Sequence, residues 1–182
     1  MMKIKTLMVI VSLCAAASNI AAVPNPPGGN KFGLGAQFNF TTEEMSSFPG
    51  AALVISPSQI IHFTVNWHIG EKANIVGFTF DICPLSARII SLRDVSFNFT
   101  LGAGLFFDME ITREKGKHKK SAEDYIFGGG LRLPVGLSLM LGRNVFEIFA
   151  NIAPSFGVNF VPTLEFSAPF FPIALGARFW FG

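Results

Sequence analysis

Three things are scarce in this chain, and each scarcity excludes something. Cysteine occurs only at Cys14 and Cys83. Charged residues are 14% of the 182 positions, against 50% hydrophobic, and no excess of basic residues exists with which to hold nucleic acid. Long apolar runs are missing as well: past the N-terminus nothing approaches the roughly 20 residues that a spanning helix needs. A half-hydrophobic chain without such a run must arrange its apolar side chains in another way.

The N-terminus accounts for one cysteine. Lys3 and Lys5 precede an apolar stretch, Thr6 to Ala17, and small residues follow through Ala21 and Ala22 before Val23-Pro24. Residues 1–22 are expected to be a signal peptide cleaved near Ala22. Cys14 lies inside the apolar stretch behind the bulky Leu13, which argues against lipidation there. Removal of Lys3 and Lys5 from the 14 basic residues leaves 12, matched by 12 acidic ones. Cys83 then stands alone, so no intrachain disulfide can form.

What is abundant is phenylalanine, 21 residues, at alternating positions. From Val95 onward, Phe97, Phe99, Leu101, Leu105 and Phe107 share one parity, while Ser96, Asn98, Thr100, Gly102, Gly104, Asp108 and Glu110 hold most of the other. Strand side chains alternate between faces, so one face is apolar and the other small and polar. The charged segment Thr112 to Asp124 interrupts the pattern, which resumes with Phe127, Leu131, Leu133 and Leu137 against Gly128, Gly130, Arg132 and Gly136.

The same alternation recurs along the chain. After a Pro/Gly-rich lead at 23–30, strands are expected at 31–40, 51–56, 60–69, 73–83, in the two arms just described, and at 145–159 and 168–181. Residues 84–93 fit either a turn with a short helical piece or a strand extension. Eight strands is the even number an antiparallel bacterial barrel needs to close, and a lipid-facing apolar surface explains the phenylalanine. The expected fold is all-β: one eight-stranded, up-and-down, antiparallel transmembrane β-barrel over 31–182, with both termini periplasmic. Pro134, Pro154, Pro169 and Pro172 fall inside these segments and are expected at bulges or strand ends.

In that arrangement Asp81, Asp108, Glu110, Arg132, Glu147 and Arg178 face the lumen. Counting back across the 160–167 loop puts Arg178 roughly opposite Phe149, one diagonal from Glu147, which predicts a Glu147–Arg178 ion pair. Arg132 falls near Gly104. An eight-stranded lumen is just wide enough for side chains to fill, so these charges read as a structural network in a plugged barrel. His62 and His68 are six residues apart, roughly 20 Å along a strand, too far to share a metal. No HExxH, CxxC or calcium-loop spacing occurs, and no Ser is placed beside His68. No metal, cofactor or catalytic site is therefore expected.

The external segment carries five basic residues, Arg113, Lys115, Lys117, Lys119 and Lys120, with three acidic ones. It reads as a solvated tip or as a surface for an anionic partner. No aromatic is interleaved with the charge, which argues against nucleic acid.

The exported start, the eight amphipathic segments and the closing run Ile173 to Phe181 resemble the small OmpA/OmpX-type outer-membrane barrels. With its lysine-rich loop, the chain is most similar to a Borrelia family of surface barrels. It departs from the usual terminal Phe by ending on Gly182. The resemblance implies exposure on the bacterial surface, outer-membrane lipid as surroundings, a monomer, and in some members binding of host serum or matrix proteins such as complement factor H. The expected role is thus non-enzymatic, host-protein binding through external loops. A narrow pore is the first alternative. A soluble lipocalin-like carrier of an apolar ligand is the second; it requires the phenylalanine parity to point inward and Arg132, Glu147 and Arg178 outward.

Overall fold

The computed structural model describes residues 31–40, 50–69, 73–112 and 125–182. The expected signal peptide, the 23–30 lead and the basic residues Arg113 to Lys120 lie outside the described residues. Eleven strands run in chain order: β1 (Phe32–Phe40), β2 (Gly50–Ser56), β3 (Ile61–Ile69), β4 (Ala73–Ser91), β5 (Val95–Thr112), β6 (Tyr125–Arg132), β7 (Val135–Leu141), β8 (Phe146–Ile152), β9 (Ser155–Val161), β10 (Glu165–Phe166) and β11 (Ile173–Phe181). No helix occurs among the described residues.

All pairings are antiparallel, and they form a closed ring. Neighbours follow the order β5, β4, β3, β2, β1, β11, β8, β7, and β7 returns to pair with β5. The upper half of β5 pairs instead with β6, which pairs with β9. Thus β6 with β7, and β8 with β9, are two long wall strands, each interrupted once, and the wall has eight strands as the alternation predicts.

Proline causes the interruptions. It has no N–H for the ladder but still offers a carbonyl. Gly102 N donates to Pro134 O, Leu133 N to Pro154 O, and Ala153 N to Pro172 O, each at 2.9 Å. The three prolines therefore step across adjacent strands as a seam that keeps half of its bonds. This seam corrects two expected boundaries. The seventh strand is split at Ala153-Pro154, and the last is regular only from Ile173, with 167–172 held by isolated bonds such as the Ser155–Phe170 bridge. The ambiguous residues 84–93 mostly continue β4, which reaches Ser91 through bulges after Ile82 and Arg88.

The ring is staggered. From Trp180 the paired row passes through Gly33 to Ser56, then to His62 by extending the Ile55–Phe63 register one step. It continues through Asp81, Gly104, Arg132 and Ser155 and meets the last strand's approach at Phe170, ten residues before its start. Such a stagger requires strands tilted by roughly 35–45° to the axis.

Side chains sort cleanly by face. Phe38, Leu53, Trp67, Phe78, Phe107, Leu131, Leu175 and Phe179 are exposed on the outside of the wall. Gln37, Thr64, Asp81, Arg132, Glu147 and Arg178 are buried in the lumen. This is the reverse of what a lipocalin-like carrier requires, and it rules that alternative out.

Candidate functional site: the divided lumen

The lower lumen is organised by Arg178. On β11 it stands directly opposite Glu147 on β8, and its Nε donates to Glu147 Oε2 at 2.8 Å. The expected register, with Phe149 opposite Arg178, is therefore two residues out: Phe149 faces Gly176. The chain turns earlier than the count assumes: Glu165 already pairs with Asn159, so the connection is 160–164 and not 160–167, and a count centred on the longer loop lands two residues away.

That guanidinium has further partners. One terminal nitrogen donates to Ser56 Oγ at 2.8 Å and reaches His62 Nδ1 at 2.8 Å. A guanidinium can only donate, so Nδ1 is an acceptor here. Ser56 Oγ also lies 2.9 Å from Nδ1. Trp180 Nε1 donates to the same Glu147 oxygen at 2.8 Å. The guanidinium carbon sits 4.7 Å from the Phe149 ring centroid and 4.8 Å from that of Trp180, a stacked cation on both. Gly33 and Gly176 make room: a Cβ on the first would stand 2.9 Å from the Trp180 ring, and on the second 2.6 Å from Phe149 Cζ.

The second charge contact lies on the next part of the paired row. Asp81 and Arg132 are each one step from Gly104, whose missing side chain lets them meet above it. Arg132 Nε lies 3.2 Å from Asp81 Oδ1, although neither atom is aligned for a hydrogen bond, so the contact is one of charge. Among the described residues the lumen thus holds two separate pairs. Glu110, expected to belong to the network, is in neither, because its cross-strand neighbours are Ile75 and Ile126. Asp108 likewise has no ion pair among the described residues.

These groups divide the lumen. Below lies a space of about 100 Å³ touching Arg178, Glu147 and His62. Above lies a cavity of about 570 Å³ that includes Asp108, Glu110, Thr79, Asn66 and Asn159 in its wall and Arg132 at its base. The expectation of a filled barrel therefore fails in the upper half, where Gly77, Gly128 and Gly157 replace side chains that would occupy it. One aromatic does enter: Phe106 points inward, edge-on to Phe170 at 5.3 Å between centroids. The alternation predicts the face for position 106 but not that Phe would occupy it.

Ser56 and His62 are hydrogen-bonded, but Ser56 is 0% exposed, so no substrate reaches its oxygen. No group of three or more His, Cys, Asp or Glu capable of holding a metal ion occurs among the described residues. Ser56, His62 and Trp180 are the partners in the Arg178 cluster that the sequence reading missed; all three lie on the inward parity, which was the available signal.

A family model described as a protein of unknown function (DUF3996) matches residues 85–181. No curated protein matches. Among solved structures, the N-terminal β-barrel domain of Pseudomonas aeruginosa OprF is similar at 12% identity and a TM-score of 0.46, covering 84% of this chain and 98% of that one.

Proposed function

The chain belongs to the DUF3996 family of proteins of unknown function, and we propose that it is a non-enzymatic bacterial outer-membrane barrel whose external loops bind host proteins. The observation that carries the membrane part is the closed wall with its apolar residues outside and its charges inside. Exposed Phe38, Leu53, Phe78, Leu175 and Phe179 are distributed over β1, β2, β4 and β11, a belt that lipid would cover and water would not. Ring closure leaves no edge along the paired wall to satisfy in a bilayer.

In this reading both termini lie in the periplasm and the Thr112 to Asp124 segment faces outward. Its lysines supply the attraction for an acidic patch on a host serum or matrix protein, of which complement factor H is the candidate implied by the Borrelia resemblance. No nucleic acid, metal or cofactor is involved, and the barrel acts as a monomer. The pore alternative is disfavoured by one specific feature, the Arg178 cluster, whose side chains leave only about 100 Å³ of space in the lower lumen. The test is replacement of Lys115, Lys117, Lys119 and Lys120 with glutamine. Binding to immobilised host serum proteins should fall sharply while the barrel still folds; unchanged binding would remove the loop from the account.

A further inference from the structure

The upper cavity is the larger of the two spaces described and has no part in the loop reading. Its charge is unbalanced. Arg132 at its base is matched by Asp81 at 3.2 Å, whereas Asp108 and Glu110 in its wall have no ion pair among the described residues. They lie on one face of β5, about 7 Å apart along the strand. Asp108 also has unusual room on both sides, because its cross-strand partners are Gly77 and Gly128. A Cβ at Gly77 would collide with Asp108 Oδ1, so the carboxylate occupies the space above that glycine.

A second, independent feature points into the same space. Thr79, only 7% exposed, is one of the lining residues, and its buried hydroxyl has no hydrogen-bond partner. Buried polar atoms are normally satisfied, and an orphan beside a cavity calls for an occupant. Thr79 is two residues from Gly77 on the same inward face of β4, so its hydroxyl lies deeper than the Asp108 carboxylate. Asn66 and Asn159 add amides to the wall, and Phe106 and Phe170 add ring edges. About 570 Å³ falls within the range of roughly 300–1,000 Å³ typical of small-molecule sites.

We propose that the upper cavity binds a small organic cation, an amine or guanidinium, with its charged head held by Asp108 and Glu110 and its body reaching the Thr79 hydroxyl. Asp81, Asp108 and Glu110 share the single guanidinium of Arg132, and the excess negative charge repels an anion and leaves a neutral sugar with no partner for it. The amides and ring edges suit the less polar part of such a ligand.

Agmatine is the probe. It is titrated calorimetrically at low ionic strength into the full barrel folded in a zwitterionic detergent, with succinate and maltose as comparisons. Saturable agmatine binding is expected, weakened about tenfold or more by Asp108→Asn, the loss of one charge-assisted contact. Thr79→Val, which removes a hydroxyl and no charge, should weaken it several-fold. Folding of each variant is checked by migration on an unheated gel, and Glu110→Gln replaces Asp108→Asn if the latter does not fold. Absence of saturable binding, equal affinity of the carboxylate variant and the parent, or tighter binding of succinate or maltose would each overturn the proposal.

Discussion

Arg178 Nε and Glu147 Oε2 are 2.8 Å apart on directly opposed positions of β11 and β8, with both side chains less than 10% exposed. β11 also closes the ring against β1, so this pair fastens the closing strand to the wall on one side while backbone pairing holds it on the other.

Breaking the pair from one side should be severe. Arg178→Met leaves Glu147 buried without its cation, and Glu147→Gln leaves Arg178 without its anion; each should cost about 3–5 kcal/mol. The double variant should lose less than the sum, with a coupling of about 0.5–3 kcal/mol. Urea unfolding in phospholipid vesicles, read as the folded fraction on an unheated gel, measures all three. Additive losses would show that the pair is not a unit.

Two glycines on β6 should respond differently to the same change. A Cβ on Gly130 would collide with the Phe156 carbonyl and stand 2.6 Å from Gly157 Cα, backbone atoms that cannot turn away. A Cβ on Gly128 would meet Asn159 Oδ1 at 2.8 Å, the end of a side chain that can rotate. Gly130→Ala should therefore cost about 1–3 kcal/mol, while Gly128→Ala should cost clearly less. The same unfolding measurement ranks them.

The outer face gives a third prediction. Leu53, 47% exposed near the middle of β2, would face hydrocarbon. Leu53→Arg should then destabilise the barrel in vesicles by about 2–4 kcal/mol, falling toward nothing for the same change near a strand end. A small effect independent of position would mean that water, not lipid, covers this face.

Much of this architecture was legible because strand periodicity is unambiguous. The parity of Phe97, Phe99, Leu101 and Leu105 against Ser96, Asn98, Thr100 and Gly104 fixes which way each side chain points, and hairpin counting placed Arg132 opposite Gly104. Counting failed where the turn was misplaced. Glu165 already pairs with Asn159, so the hairpin turns within 160–164, and Arg178 meets Glu147 directly and not diagonally. Glu110 was assigned to the charge network by parity alone, but parity says nothing about which residues stand across from it, and those are Ile75 and Ile126. The upper cavity was invisible for a related reason. Each glycine was visible singly, but the volume they leave together depends on Gly77, Gly128 and Gly157 coming from three separate strands.

The central claim is a barrel in the outer membrane with the Arg113 to Lys120 segment outside. Trypsin digestion of intact cells expressing the protein tests it most directly. The account predicts cleavage within residues 113–120 while the cells are whole, with fragments that remain in the membrane fraction. Protection of those sites until the cells are lysed, or recovery of the protein in the soluble fraction, would contradict it.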